Sequence, residues 1–302
     1  MPNRVGVLLA SYNGQHYIRE QILSIVNQAN VSLHVFVSDD GSTDATREII
    51  DVLSSDCSEI TLLPTGQPTG SPAGNFFRLL SFIDLSNFSH IAFADQDDIW
   101  SLNKIERALM QMEVNDADGY SSDLISYSVD NRKVKYIVKS HAQTDYDYIF
   151  QGASAGCTYV ISARLAAQIK NRVAYIPFCE FKNRSHDWLI YAIARSAGYR
   201  WFCDPESFVF YRQHSSNVYG AHSSLSGIIS KINKIKNGWY RENIIWLSSF
   251  VNTNEVLSDI FRRVERWSWI DRCYVAIHST KFRRRRRDVL ALFFFALIGL
   301  MN

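Results

Sequence analysis

The chain has 302 residues and carries 32 Lys+Arg against 30 Asp+Glu, a formal charge of +2. With 47% hydrophobic and 21% charged residues it has the composition of a globular protein, which excludes disordered, collagen-like and low-complexity classes. The charge balance argues against a dedicated nucleic-acid binder, and the length fits one large domain with an appendage.

Strand and helix signals alternate through the first hundred residues. Residues 5–10 (VGVLLA) form a short continuous apolar run, the pattern of a strand buried on both faces. Turn chemistry follows at 11–14 (SYNG), and Ile18, Ile22, Ile25 and Val26 then repeat at helical spacing over 17–28. A second strand, 34–38, ends in Asp39-Asp40-Gly41 before a helix at about 45–53. Residues 60–63 read as a third strand, 64–74 as a Gly/Pro/Thr loop, 75–83 as a helix and 90–94 as a fourth strand. This alternation predicts an α/β fold with a mostly parallel sheet and helices on both faces, which binds ligands at the carboxyl ends of its strands.

Beyond Trp100 the spacing predicts a helix over 103–113, a strand over 123–129, an amphipathic helix over 187–197 stopped by Gly198, and two short strands at 200–203 and 208–213. From about residue 223 the chain reads as helical, with Trp239, Trp246, Trp267 and Trp269 as packing residues and Lys231, Lys234 and Lys236 as a solvated face. A soft boundary near 220 divides the chain into 1–220 and 221–302.

The charge is unevenly distributed. Residues 262–287 hold ten Arg/Lys and two acids, so the remainder is mildly acidic. Five consecutive arginines, 283–287, precede 13 uncharged residues, 289–301. That is too short to span a bilayer, which takes about 20 residues. Basic residues beside an aromatic-rich apolar helix suit an anionic membrane surface instead, at about 1 kcal/mol per cation. The alternative is a terminal helix packed on the protein's own core. The five cysteines form no C-x-x-C pair and read as reduced thiols of a cytosolic protein, and the first residues lack the features of a signal peptide.

Three carboxylate clusters stand out: Asp39-Asp40, Asp95-Gln96-Asp97-Asp98 and Asp187 after His186. Taken singly, each has a structural reading as a turn, a helix start or an N-cap. The first two close neighbouring parallel strands and so converge, and like charges held close need a cation or donors to neutralise them. Asp-x-Asp carboxylates are hard ligands for Mg²⁺ or Mn²⁺, which bind together with substrate phosphates. That pattern points to a nucleotide diphosphate. There is no P-loop, H-E-x-x-H or Cys/His metal motif.

The ordered strings SYNG at 11–14, SDDGSTD at 38–44, ADQDDIW at 94–100, HDW at 186–188 and YRQH at 211–214 resemble family-2 glycosyltransferases of the GT-A fold. The last three are similar to those of bacterial rhamnosyltransferases that build O-antigens. The resemblance implies that Ser11, Tyr12, Asn13, Asp39, Asp40 and Asp95 serve the nucleotide and that Asp97, with Asp95, holds a divalent cation. It implies Asp187 as general base and Gly152, Gly156, His186 and Trp188 on the acceptor and donor-sugar side. Arg212 and His214 are candidates for diphosphate contacts, the alternative being strand-edge packing or solvent exposure. One departure concerns the base: where the family has a Glu-Asp pair this chain has His186-Asp187, so the role rests on Asp187 alone.

The function so implied is inverting transfer of a sugar from a nucleotide sugar, dTDP-L-rhamnose by the sub-family likeness, to a lipid-linked glycan at the cytoplasmic face of the inner membrane. A UDP-hexose donor on the same fold and a non-catalytic nucleotide-sugar-binding scaffold are the rivals. A sugar nucleotidyltransferase would need a basic Gly-rich loop that residues 11–14 lack.

Overall fold

Strand β1 (Arg4–Ser11) is apolar without alternation because it is covered twice. Val5, Val7 and Leu9 enter one hydrophobic cluster and Leu8 enters another on the opposite face. The computed structural model describes residues 4–128, 132–214, 233 and 235–301. On either side of β1 lie β2 (Ser32–Asp39) and β4 (His90–Asp95), with β3 (Ile60–Leu62) beyond β2, and these four strands are parallel. The register sets Ser11 opposite Asp39 and Ala10 opposite Asp95. Strand spacing of about 4.8 Å therefore brings the ends of β1, β2 and β4 together.

Beyond β4 the sheet becomes mixed. Strand β8 (Val160–Ser162) runs antiparallel to β4, β6 (Gly119–Ser128) antiparallel to β8, and β9 (Trp201–Gln213) parallel to β6. The edges are β5 (Ile99–Trp100), antiparallel to β9, and β7 (Lys133–Ile137), antiparallel to β6. Strand β9 replaces the two short strands expected at 200–203 and 208–213. Its register jumps from Asp204 opposite Ser122 to Ser207 opposite Asp123, so Pro205 sits in a bulge where no ladder donor is needed.

Helices α1 (Ile18–Val26), α2 (Thr46–Asp56) and α4 (Lys104–Val114) cover the Val5 face. Helices α3 (Pro72–Phe82), α6 (Ala163–Val173) and α7 (His186–Ser196) cover the Leu8 face. Helix α3 begins three residues earlier than its apolar spacing indicates, because Ser71 caps it, accepting from the Gly74 amide at 3.1 Å, and Pro72 takes the first turn. Phe77 of α3 is fully buried and packs at a tilt against Phe181, ring centres 4.5 Å apart. Phe77→Ala is expected to cost about 3–5 kcal/mol of folding free energy, read by urea denaturation. A loss under about 1 kcal/mol would mean that this face is loosely packed.

The short α5 (Asp147–Phe150) lies between β7 and β8. The C-terminal helices are α8 (Trp239–Leu247), α9 (Glu255–Arg266), α10 (Trp269–Ile277), α11 (Ser279–Phe282) and α12 (Arg286–Leu297). Tyr240, Ile244, Phe261, Leu292, Ala296 and Met301 join the hydrophobic cluster of α3, α6 and α7, so these helices share the core of the sheet domain. The boundary near 220 and Lys231 and Lys234 lie outside the described residues, while Lys236 is exposed. Trp239, Trp246 and Trp267 pack inward as expected, whereas Trp269 is 61% exposed. All five cysteines are free thiols. Among the described residues no helix is long and apolar enough to cross a membrane.

Candidate active site

The carboxyl ends of β1, β2 and β4 carry most of the chemistry. After β1 the chain turns through Asn13, whose backbone is left-handed at φ 49° and whose side chain accepts from the Thr43 amide at 2.8 Å. Gln96, after β4, grips this turn twice: it accepts from the Tyr12 amide and donates to the Tyr12 carbonyl, each at 2.8 Å. A Cβ on Gly14 would stand 2.3 Å from the Gln96 amide oxygen, so the close approach requires glycine. Held by its backbone, Tyr12 leaves its ring 56% exposed, available to stack on a planar base.

The two aspartates ending β2 have different surroundings. Asp39 accepts from the Ser11 hydroxyl at 3.2 Å, the Gly41 amide at 3.2 Å, the Ser42 amide at 3.0 Å and the Ser42 hydroxyl. Asp40 turns away toward the 69–70 loop. It accepts from the Thr69 amide at 2.6 Å and the Gly70 amide at 2.9 Å and pairs with Arg78 at 3.3 Å. Asp40, expected on the nucleotide, thus anchors a loop whose amides saturate it. Arg78 also donates to the Asp39 carbonyl at 3.0 Å and the Ser38 hydroxyl at 2.9 Å.

At the end of β4 three carboxylates meet electrostatically. Burial, then the negative charges of Asp97 and Asp187, push the Asp95 carboxyl up to about 7. Asp97 and Asp187 thus lie within electrostatic reach of Asp95, although 187 is far off in sequence, and Asp39 ends the strand on the other side of β1. Asp98, next to them, is fully buried, and burial, with Asp97 and Asp95, raises its carboxyl well above the usual range. Its Oδ1 accepts from the Arg212 amide at 3.2 Å, and its Oδ2 has no hydrogen-bond partner among the described residues. Beneath lies Lys104, its ammonium 3.5 Å from the Trp100 ring centre and pulled down to about 7 by burial. Trp100 is thereby a core residue, 3% exposed.

Carboxyl groups held this close are a grouping that a divalent cation can stabilise. Candidate ligand atoms of Asp95, Asp98 and Cys157 lie within 4.8 Å of one another. Burial, reinforced by Asp98 and Asp95, pushes the Cys157 thiol up, so it keeps its proton and is no ligand for a hard ion. The carboxylates fit Mg²⁺ or Mn²⁺. Asp97 Oδ2 lies 2.9 Å from His214 Nε2, and the imidazole stacks on Tyr17 at 4.7 Å. Arg212, expected on a diphosphate, has its guanidinium engaged instead: it donates to the Asp97 carbonyl at 2.9 Å, pairs with Glu20 and covers the Tyr17 ring at 4.7 Å.

Asp187 opens α7. Its Oδ1 accepts from the Trp188 amide at 2.7 Å and from the Ser185 hydroxyl, while Oδ2 carries no hydrogen bond among the described residues. His186 tucks inward against Phe76 at 4.2 Å, and burial lowers its imidazole below the ordinary range. A Cβ on Gly156 would meet His186 Nε2 at 2.3 Å, and one on Gly152 would meet the Trp188 backbone at 3.5 Å. The 152–156 turn is thus pressed onto the start of α7. Trp188, expected on the sugar side, is instead a core residue: it is 5% exposed, donates to the Tyr148 carbonyl at 2.9 Å and stacks on Tyr240. Two hollows, of about 340 and 390 Å³, lie at the other end of the sheet, around Trp201 and around Asp118 and Arg164.

Residues that sequence reasoning missed are Ser42, Gln96, Arg78 and Lys104. The first two stand inside quoted strings, but their partners are set by strand register, which spacing does not reveal.

Paired carboxylates at the carboxyl ends of parallel strands, an exposed aromatic beside them and an acid at a helix start lie where open α/β sheets bind their ligands. Residues 7–163 match Glycosyl transferase family 2. The chain is 33% identical over 298 residues, 97% of its length and 100% of the other, to the dTDP-rhamnosyl transferase RfbG of Shigella flexneri. It is 29% identical over 161 residues, 53% of its length and 60% of the other, to the UDP-Glc:alpha-D-GlcNAc-diphosphoundecaprenol beta-1,3-glucosyltransferase WfgD of Escherichia coli. Among solved structures, S. aureus TarS 1–349 in complex with UDP-GlcNAc superposes with a TM-score of 0.60 at 15% identity, covering 98% of this chain and 80% of that one. The last likeness shows the fold alone. The protein belongs to glycosyl transferase family 2 and is a glycosyltransferase of GT-A fold.

Proposed function

We propose that the protein transfers L-rhamnose from dTDP-L-rhamnose, with inversion, to a hydroxyl of a lipid-linked glycan in surface-polysaccharide synthesis. The electrostatic proximity of Asp97 and Asp187 to Asp95 supports this reading, because it joins the diphosphate side to a carboxylate oxygen that has no hydrogen bond among the described residues. Tyr12 stacks on the base, and Ser11, Asn13, Asp39 and Asp95 bound the nucleoside, with Asp40 holding the 69–70 loop in place. Asp187 Oδ2 takes the proton of the acceptor hydroxyl, whose oxygen bonds to the anomeric carbon as the bond to the diphosphate breaks and dTDP leaves with the electron pair. General-base help of this kind gives about 10²–10⁴-fold. A single base and no second nucleophile favour one displacement, hence inversion. A divalent cation would be held by Asp97 and Asp95, with His214 beside Asp97, and would supply Lewis-acid neutralisation of the leaving diphosphate. Gly152, Gly156 and His186 shape the sugar side.

Similarity to RfbG along the whole chain supports the rhamnosyl donor, and similarity to WfgD over half of it supports a UDP-glucose alternative. Incubation with Mn²⁺ and a panel of nucleotide sugars discriminates them. Release of dTDP from dTDP-L-rhamnose is expected, and selective turnover of UDP-glucose would replace the first reading by the second.

We place the enzyme on the cytoplasmic face of the inner membrane, with 1–220 catalytic and 221–302 serving membrane contact. Leu290, Phe294 and Ile298 make an exposed stripe along α12, Trp269, Ile270 and Ile277 stand exposed on the adjoining α10, and Arg285, Arg286 and Arg287 are exposed beside them. Deleting 283–302 would not isolate this contact, because Arg284, Leu292, Ala296 and Met301 belong to the protein interior. The triple change Leu290→Ser, Phe294→Ser, Ile298→Ser removes apolar surface worth about 1.5–3 kcal/mol per side chain when fully buried. It is expected to weaken cosedimentation with phosphatidylglycerol vesicles at least tenfold. Unaltered cosedimentation would exclude α12 as the contact.

A further inference from the structure

The run of five arginines is split by the fold. Arg285, Arg286 and Arg287 are exposed, Arg283 is half-buried, and the Arg284 side chain is only 5% exposed. The buried guanidinium donates to two consecutive backbone carbonyls, Gly152 and Ala153, each at 2.7 Å, and its Nε lies 3.3 Å from Asp147 Oδ2. Asp147 is itself fully buried and also receives Arg195 at 3.1 Å and the Tyr191 hydroxyl at 2.9 Å. The segment carrying Arg284 is strapped along the same stretch. The Lys281 carbonyl accepts from the Tyr146 amide at 3.0 Å and the Thr144 hydroxyl at 2.7 Å, Phe282 stacks on Phe150 at 4.6 Å, and Arg283 donates to Gln151 at 3.2 Å.

What Arg284 holds is the turn that presses on Asp187. The Tyr159 hydroxyl accepts from the Ala153 and Ser154 amides at 2.9 and 3.3 Å, which fixes one side of this turn. At Gly156 a side chain would collide with His186 and crowd the Asp187 Cβ, so this end of the turn lies close against the start of α7. Nη2 gives its two hydrogens to two adjacent carbonyls and so ties two peptide planes, while Nε of the same rigid plane faces Asp147; a lysine ammonium has no second nitrogen to keep both contacts at once. Once desolvated, such a cation is tolerated only with its partners in place, so it is rigid.

We propose that Arg284 is a positioning residue for glycosyl transfer. From the C-terminal segment it sets the 152–156 turn against Asp187, so the C-terminal helices complete the active site. This rests on the reading of Asp187 as the base. A misplacement of about 1 Å at a reacting group can cost ~10²-fold in rate.

The test compares Arg284→Lys with Arg195→Met, which disturbs the same Asp147 but touches neither carbonyl. Hydrolysis of dTDP-L-rhamnose and of UDP-glucose gives kcat and KM on whichever donor the wild-type enzyme turns over, and amide hydrogen exchange follows peptide 150–156. For Arg284→Lys the expected result is at least a tenfold fall in kcat, a donor KM within twofold of wild type, and at least tenfold faster exchange in 150–156 with 4–11 unchanged. Arg195→Met is expected to lower Tm while kcat stays within threefold. The proposal is overturned if Arg284→Lys keeps wild-type kcat or wild-type exchange in 150–156, or if both variants lose kcat in proportion to Tm. Wild-type protein that hydrolyses neither donor would sink the functional reading instead, and the exchange of 150–156 would then decide the role of Arg284 alone.

Discussion

Replacing Asp187 by asparagine is expected to lower kcat about 10²- to 10⁴-fold, the span typical of a lost general base, with nucleotide binding left near wild type. Asparagine has nearly the same shape and can still accept from the Trp188 amide and the Ser185 hydroxyl, so the start of α7 should persist. What it cannot do is take a proton on the second oxygen, which in the wild-type chain carries no hydrogen bond among the described residues. Turnover of the donor identified by the panel gives kcat, and calorimetric titration with dTDP gives the binding control. Full transfer activity in this variant would remove Asp187 from the mechanism. Loss of dTDP binding in step with kcat would make its role structural.

Divalent-ion binding should follow the state of Asp95. Its carboxyl sits at about 7 in the folded protein, against 3.8 ordinarily, because of burial and then the charges of Asp97 and Asp187. Between these values the folded chain keeps a proton that the unfolded chain has released. The stability of the metal-free protein therefore falls as pH rises through that window and levels off above it. A cation binds the ionised form, so below pH 7 each ion bound must displace a proton. Mn²⁺ affinity, measured by calorimetry, is expected to rise about tenfold per pH unit up to pH 7 and to flatten above. Asp95→Asn should bind more weakly and lose the slope. An unchanged slope in that variant would assign the proton elsewhere. Chelation of divalent ions should remove about 10²-fold or more of turnover, since Lewis-acid stabilisation is worth several kcal/mol.

The two aspartate pairs show how far local sequence reaches. Asp39 and Asp95 could be placed at one end of a sheet beforehand because each ends an apolar run, and apolar runs separated by helices build a parallel sheet; the two strands are not neighbours as expected, since β1 lies between them. Asp40 has the same sequence signature as Asp39, yet it faces the 69–70 loop because successive residues at a strand end point to opposite sides. Likewise the string HDW gave equal weight to three neighbours. Packing on two sides of the first turn of α7 draws His186 onto Phe76 and Trp188 onto Tyr240, and leaves one oxygen of Asp187 without a hydrogen bond among the described residues. The start of α3 was written in Ser71-Pro72 but hidden by the Gly/Pro/Thr composition around it, which reads equally as loop.

Hydrophobic periodicity and turn chemistry are short-range properties, and by themselves they determined the order of strands and helices up to the end of β4, the double-sided burial of β1 and which carboxylates close its neighbours. Only packing over long sequence separations decided which of those carboxylates meet. The charge of Asp187 reaches Asp95 across 92 positions of chain, and Arg284, one of five identical letters, is drawn from solvent to two carbonyls more than 130 positions away. Nothing in a run of arginines distinguishes the one that a buried aspartate and a pair of backbone oxygens will capture. That choice belongs to desolvation, which acts on positions in space.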